Sequence, residues 1–216
     1  VKIKVISRVL EANERIAEEN RRLLKQKGVF VVNLMSAPGA GKTSLLVKTI
    51  ELLKDRVPIG VIEGDITGTE DAEKIGALQV PVVQINTGGA CHLDANMIST
   101  VLPELPLDDI RLLFIENVGN LVCPAEFNVG EDMKVMILSV TEGEDKPLKY
   151  PLMFQESQVL LINKIDLLPY LDIDIERLRE NSLKVNPQLK IFSTSCKNGE
   201  GLGSWVDLLL SKINQV

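Results

Sequence analysis

The 216-residue sequence is poor in the side chains that most often carry chemistry: one histidine, His92, and three cysteines, Cys91, Cys123 and Cys196. Three cysteines cannot build a disulfide framework, because one is always left over. In a reducing compartment they serve as core filler, metal ligands or reactive thiols. No apolar run approaches the ~18 residues that a membrane span needs. The opening VKIKVISRVLEANERIAEEN mixes charge into a helical pattern and is not a secretion signal, so a cytoplasmic location is expected. Positive charge is short as well. Twenty-four Lys and Arg against 30 Asp and Glu leave a net charge of −6, which gives no help in binding nucleic acid or an anionic membrane. Internal repeats, low-complexity tracts and obvious linkers are missing.

What remains is an ordinary globular composition, 45% hydrophobic and 25% charged, at a length that suits one α/β domain over 1–216. Residues 7–27 read as an amphipathic helix, within an N-terminal helical extension over 1–28. Ser7 is a candidate N-cap, Leu10, Ile16, Ala17, Leu23 and Leu24 lie near one stripe, and Gly28 suits the stop. VFVVNLM (29–35) then reads as a strand buried on both faces. Further apolar runs, in PIGVIEGD, PVVQINTGG, RLLFIENVG, KVMILSVTEG, QVLLINKID and KIFSTS, alternate with helical patterns. Seven strand candidates interleaved with helices imply a mostly parallel sheet covered on both sides. Ligands of such sheets sit at the carboxyl ends of the strands.

Residues 36–43, SAPGAGKT, match the phosphate-binding pattern G-x-x-x-x-G-K-[ST] except at Ser36, and they stand between a strand and a helix. Gly39 and Gly41 let backbone N–H groups turn inward around phosphate oxygens. Lys42 would reach the β- and γ-phosphates and the Thr43 hydroxyl would ligate Mg²⁺. Pro38, Ala40 and Ser44 complete the expected phosphate-contacting stretch. The first glycine mainly eases the turn out of the strand, so serine is tolerable there.

A second motif, Asn163-Lys164-Ile165-Asp166, resembles the N-K-x-D signature of GTP-binding proteins. Guanine presents a ring N–H and an exocyclic amine side by side. One carboxylate, Asp166, can accept both bonds, and adenine cannot offer them. Asn163 would brace the loop and the Lys164 stem would cover the base. Ser195-Cys196-Lys197 resembles the Ser-Ala-Lys loop of the same proteins, with Cys196 as a small buried residue and the backbone against the guanine oxygen. In place of the usual D-x-x-G stands Glu116-Asn117-Val118-Gly119: Glu116 would hold Mg²⁺ or its water shell, and the Gly119 N–H would sense the γ-phosphate. Asp65 is a second candidate for Mg²⁺ or for positioning water. Asp71 divides between such a role and helix capping.

Cys91 and His92 lie in NTGGACHLDA, and Cys123 in ENVGNLVCPAEF, just past Gly119. Neighbouring strands could bring these loops together. Two thiolates and an imidazole suit Zn²⁺ or Ni²⁺ without selecting either. A closed tetrahedral site would need water or a second chain as its fourth ligand.

At this point the chain resembles the HypB family, the hydrogenase nickel-incorporation GTPases of the signal-recognition-particle-like class of P-loop GTPases. The likeness runs over nearly the whole chain through SAPGAGKTSLL, EGD with DAEKI, NTGGACHLDA, ENVGNLVCPAEF, TEGEDKPLKYPLMF, NKIDLLP and SCKNGEGL. CHLDA and ENVGNLVCPA are its specific parts. The resemblance implies a GTPase, cycling GTP to GDP, that helps deliver nickel to the [NiFe]-hydrogenase large-subunit precursor with a HypA-type zinc-containing accessory protein. It implies a GTP-favoured homodimer with Cys91, His92 and Cys123 at or near its interface, and a lysine at Lys149, with Lys146 a competitor, that reaches the neighbouring subunit's nucleotide. The 216 residues hold neither a histidine-rich stretch nor a Cys-x-x-Cys-Gly-Cys motif, so nickel storage and a separate N-terminal nickel site are not expected of them. With no arginine finger in a recognised place and no glutamine after Gly119, intrinsic hydrolysis should be slow. The rivals are a urease or cobalamin-enzyme accessory GTPase and a GTP-regulated dimeric scaffold with structural zinc. The Cys-Pro-His triplet of the urease relative is absent, since Ala125 follows Cys123-Pro124.

Overall fold

The computed structural model describes residues 2–66 and 68–215, with side chains from residue 10 onward. Seven strands form one sheet: β1 (Phe30–Ser36), β2 (Ile59–Asp65), β3 (Val82–Asn86), β4 (Leu112–Glu116), β5 (Met133–Ser139), β6 (Val159–Asn163) and β7 (Lys190–Ser193). Their order is β3-β2-β4-β1-β5-β6-β7, and every pairing is parallel. β1, β4, β5 and β6 are buried at every position, as the continuous apolar runs require of strands covered on both faces.

Alternation along β1 sorts the two layers. Phe30, Val32 and Leu34 face a core shared with α2 (Lys42–Leu53) and α9 (Leu202–Ile213), through Leu46, Ile50, Leu53, Trp205 and Leu209. Val29 and Val31 face α1 (Lys2–Gln26) and α4 (Ala95–Val101), through Leu24 and Ile98. A third cluster packs Met136, Leu138, Leu160 and Ile162 under α7 (Pro151–Glu156) and α8 (Ile175–Val185). The remaining helices are short: α3 (Glu70–Gly76), α5 (Cys123–Glu126) and α6 (Lys146–Lys149).

Two expectations change. The first helix runs through Ser7, which therefore does not cap it, although Gly28 does end it with a positive φ of 67°. Its buried face is Ala17, Asn20 and Leu24, while Leu23 is 39% exposed. A stripe that is partly asparagine escapes any hydrophobic pattern. The β5–β6 crossover also holds the unforeseen pair α6 and α7, each with proline in its first turn, where the missing N–H costs nothing.

Candidate nucleotide and metal site

β1 ends at Ser36, fully buried, whose hydroxyl donates to Ala37 O at 2.8 Å. The chain then turns through Gly39 (φ 76°) and Gly41 (φ 94°) into α2. At Gly41 an added Cβ would fall 2.5 Å from Asn163 Nδ2, so left-handed backbone and close packing both demand glycine. Lys42 and Thr43, the first two residues of α2, converge on one oxygen: Lys42 Nζ lies 3.0 Å and Thr43 Oγ1 2.7 Å from Glu116 Oε1. The Thr43 hydroxyl also lies 2.8 Å from Asp71 Oδ2. Asp71 is not a cap, since Thr69 holds the N-cap position of α3. Asp65, at the end of β2, accepts from the N–H groups of Ile66 (2.6 Å) and Gly68 (2.9 Å). Lys42, Thr43, Asp65 and Asp71, with the phosphate loop, Val118, Gly119 and Lys164, line a cleft of about 500 Å³ at the carboxyl ends of the strands.

The cleft gathers carboxylates around the Lys42 ammonium and the Thr43 hydroxyl. Burial alone would push Asp71 up, but hydrogen bonds from Lys74 and Thr43 outweigh it and hold the carboxyl below its usual range. Deeper in, Glu63 stands opposite Glu116 in the β2–β4 register, 3% exposed. Burial, then the neighbouring Glu116 and Asp65 carboxylates, push its pKa to about 8. Oε2 of Glu63 and Oε2 of Glu116 have no hydrogen-bond partner among the described residues. Buried acceptor oxygens beside a threonine hydroxyl suit a hard, oxygen-seeking cation.

The N-K-x-D and Ser-Cys-Lys loops meet behind the phosphate loop. Asn163 Nδ2 donates to Ala40 O (3.0 Å) and Lys164 Nζ to Gly39 O (2.7 Å), so both brace the phosphate-loop backbone. Ser195 Oγ donates to Asp166 Oδ1 at 2.5 Å, and Lys197 N donates to Ser195 Oγ at 3.3 Å. The Cys196 thiol points to Asn163 Oδ1 at 3.6 Å and packs on the core beneath α2 and α9.

Cys91, His92 and Cys123 come together with ligand atoms all within 4.8 Å of one another. The two sulfurs are 3.1 Å apart, too far for a disulfide bond of about 2.05 Å, and Cys91 Sγ is 3.6 Å from His92 Nδ1. His92 lies against the Phe127 ring at a centroid distance of 4.0 Å. Burial holds its pKa below the ordinary value against the pull of Asp94 and Glu126. A neutral imidazole is the form that ligates. The hydrogen bond with Cys91, then burial, raises the Cys123 thiol. Lys149 stands apart: it pairs with Asp145 Oδ2 at 2.5 Å, is exposed, and does not line its own chain's cleft, while Lys146 lies over the Tyr150 ring at 5.4 Å. Sequence reasoning did not anticipate the partnership of Thr43 with Asp71 or the position of Glu63. The EGD and DAEKI segments were visible, but only strand register shows what faces what.

A glycine-rich loop between β1 and α2, at the carboxyl edge of a seven-stranded parallel sheet, defines a P-loop nucleotide-binding protein. Residues 30–193 match the family described as "CobW/HypB/UreG, nucleotide-binding domain". The chain is 53% identical over 201 residues to the hydrogenase maturation factor HypB of Escherichia coli K12, covering 93% of this chain and 69% of that one. Its structure is similar to that of HypB from Archaeoglobus fulgidus (TM-score 0.89, 39% identity, 94% and 99% of the two chains). It is also similar to that of HypB from Helicobacter pylori in complex with nickel (TM-score 0.88, 37% identity, 94% and 96%). The chain belongs to the HypB family of hydrogenase maturation factors. Among the described residues, no helix is long and apolar enough to cross a membrane.

Proposed function

We propose that this chain is a GTP-hydrolysing metallochaperone that assists nickel insertion into a [NiFe]-hydrogenase large-subunit precursor, its metal site following the nucleotide state. The observation that carries the reading is the short segment from Glu116 to Cys123. It starts at the oxygen that Lys42 and Thr43 share, and a Cβ on its Gly119 would lie 3.1 Å from Pro38 Cα of the phosphate loop. It ends at the thiol that touches Cys91. Occupation of the phosphate loop must pull Lys42 and Thr43 toward the phosphates. The segment that ends in Cys123 then adjusts.

Each residue has a physical task. Backbone N–H groups around Gly39–Ser44 and the Lys42 ammonium hold the phosphates. Thr43, Glu116 and Asp71 would hold Mg²⁺, which supplies neutralisation of the phosphate charge when bound. Asp65 orients water, and the Gly119 N–H reads the γ-phosphate. The Asp166 carboxylate, oriented by Ser195, selects guanine over adenine. Among the described residues no arginine or glutamine lines the cleft, so turnover is expected to be slow. Cys91, His92 and Cys123 offer three soft or borderline donors to Ni²⁺ as cargo, and the same donors accept Zn²⁺. A fourth ligand from water or a second chain fits a homodimer that forms with GTP, in which the exposed Lys149 would reach the neighbour's nucleotide. A HypA-type protein is the expected nickel partner. The Escherichia coli relative, a hydrogenase maturation factor, and the nickel complex of the Helicobacter protein support the choice of metal and target.

The test is a nickel titration of the protein loaded with GDP or with a non-hydrolysable GTP analogue. Coupling is expected to change both the affinity and the thiolate-to-nickel absorption, by reciprocity of linked equilibria. Identical affinity and spectrum in the two states would sink the proposal.

A further inference from the structure

The two loops that carry the Cys/His cluster come from different crossovers, yet a continuous chain of buried polar groups joins them. Leu93, next to His92, donates its N–H to Asn117 Oδ1 at 3.0 Å, and Asn117 Nδ2 donates to Asn33 Oδ1 at 3.2 Å. Asn33 Nδ2 in turn donates to Glu131 Oε1 at 3.4 Å. The other Glu131 oxygen accepts from the N–H groups of Val129 (2.7 Å) and Gly130 (3.0 Å). Lys134 Nζ lies 3.8 Å from Glu131 Oε1 and donates to Ala125 O at 2.9 Å, two residues from Cys123. Asn33 and Asn117 are fully buried, Glu131 is 6% exposed and Lys134 5%.

Stability does not explain this chain. A buried ion pair recovers little more than the desolvation of its charges, and apolar residues of similar volume often serve as well. What a satisfied polar network supplies is geometry, because each group has one partner in one place. Here its two ends are the N–H beside His92 and a carbonyl in the helix that begins with Cys123. Helix α1 repeats the bridge from outside. Asn13 accepts from Ala95 N (2.9 Å) and donates to Asn128 O (2.8 Å), and Asn20 donates to Ala95 O (2.8 Å) and Val129 O (3.2 Å). Two separate sets of side chains thus tie the segment after His92 to the segment after Cys123.

We infer that Asn33, Asn117, Glu131 and Lys134 are positioning residues for the Cys91/His92/Cys123 metal site, setting the spacing of its two loops. The inference rests on the metal-binding reading above. Asn117 directly follows Glu116, so the same chain reports the state of the phosphate end to the Cys91–His92 loop.

The experiment titrates Ni²⁺ into the unsubstituted protein and into Lys134→Met, Lys134→Arg and Asn33→Leu, following the thiolate-to-nickel band, with GDP affinity and thermal unfolding measured in parallel. Loss of outer-shell partners commonly weakens metal binding about 10–100-fold. Lys134→Met and Asn33→Leu should each weaken nickel at least about tenfold and shift the band, while GDP affinity stays within about twofold. Lys134→Arg, which keeps a donor to Ala125 O, should restore most of the loss. Asn33 meets the Cys123 loop only at Asn117, six residues before the thiol, and makes no contact with Ala125 O, so it decides the matter if Lys134→Met fails to fold. Unchanged nickel affinity and band in both Lys134→Met and Asn33→Leu would overturn the inference and leave the metal reading intact. No thiolate band in the unsubstituted protein would overturn the metal reading itself, and this inference with it.

Discussion

Glu63→Gln, in protein freed of nucleotide and divalent metal, isolates the electrostatic cost built into the cleft. Glu63 lies on β2 opposite Glu116 of β4, with Asp65 on its own strand and Asp71 on α3 adding negative charge, and Lys42 of α2 the opposing cation. Its pKa rises from an ordinary 4.5 to about 8, first through burial and then through Glu116 and Asp65. Below pH 4.5 the carboxyl is protonated in both folded and unfolded chains, and the folded state bears no penalty. Between there and about 8 the unfolded chain releases a proton that the folded chain keeps, so stability falls by roughly 1.4 kcal/mol per pH unit. Over about 3.5 units the ceiling is roughly 5 kcal/mol, which hydration of the open cleft reduces to a few.

Glutamine keeps the size and removes the titration. Urea unfolding between pH 5 and 8.5, followed by the fluorescence of the single, fully buried Trp205, reads the difference directly. Other titrating groups are common to both proteins and cancel. The Glu63→Gln protein should gain stability relative to the parent steadily from acid to alkaline pH and level off above about 8. A stability difference independent of pH would refute the reasoning, whatever its size.

Three further substitutions test other links. Asp166→Asn should weaken GTP binding at least about a hundredfold without improving ATP, because a site built for two donors loses its acceptor; equilibrium binding of both nucleotides reads this. Gly119→Ala forces a Cβ to within 3.1 Å of Pro38 Cα, so affinity for a GTP analogue should fall more than affinity for GDP while the melting temperature changes little. Trp205→Ala empties a fully buried site and removes the Nε1–H that donates to the Thr49 hydroxyl at 3.1 Å, leaving that hydroxyl its bond to Leu45 O. The cost should be about 3–5 kcal/mol in urea unfolding.

The sheet was legible because its strands are buried on both faces and therefore write themselves as apolar runs: RLLFIENVG and QVLLINKID each hold a strand within their bounds, and VFVVNLM holds all of β1 but its last residue, Ser36. The phosphate loop and N-K-x-D were legible for a different reason, since each is a local piece of chemistry whose residues must be adjacent to work. Partnerships across strands were not. Asp71 meets Thr43, and Glu63 meets Glu116, only because α3 and β2 are placed where the sheet order puts them.

Asparagine shows the boundary most clearly. Asn13, Asn20, Asn33 and Asn117 sit where hydropathy would ask for leucine, and their amides bond to backbone or side chains 75 to 115 residues away in the cases of Asn13, Asn20 and Asn33 with Asn117. A pattern of apolar periodicity treats such residues as interruptions of a buried stripe. In the folded chain Asn20, Asn33 and Asn117 are the interior of it, and Asn13 is half-buried. Polar groups in those places cost desolvation that only a fully partnered geometry offsets. The geometry they hold is the distance between the loop of Cys91 and His92 and the loop of Cys123, neither of which has a long helix or strand of its own to fix it. The rigid sheet thus reaches a pair of short, exposed loops through amide hydrogen bonds, which apolar packing alone would leave free to slide.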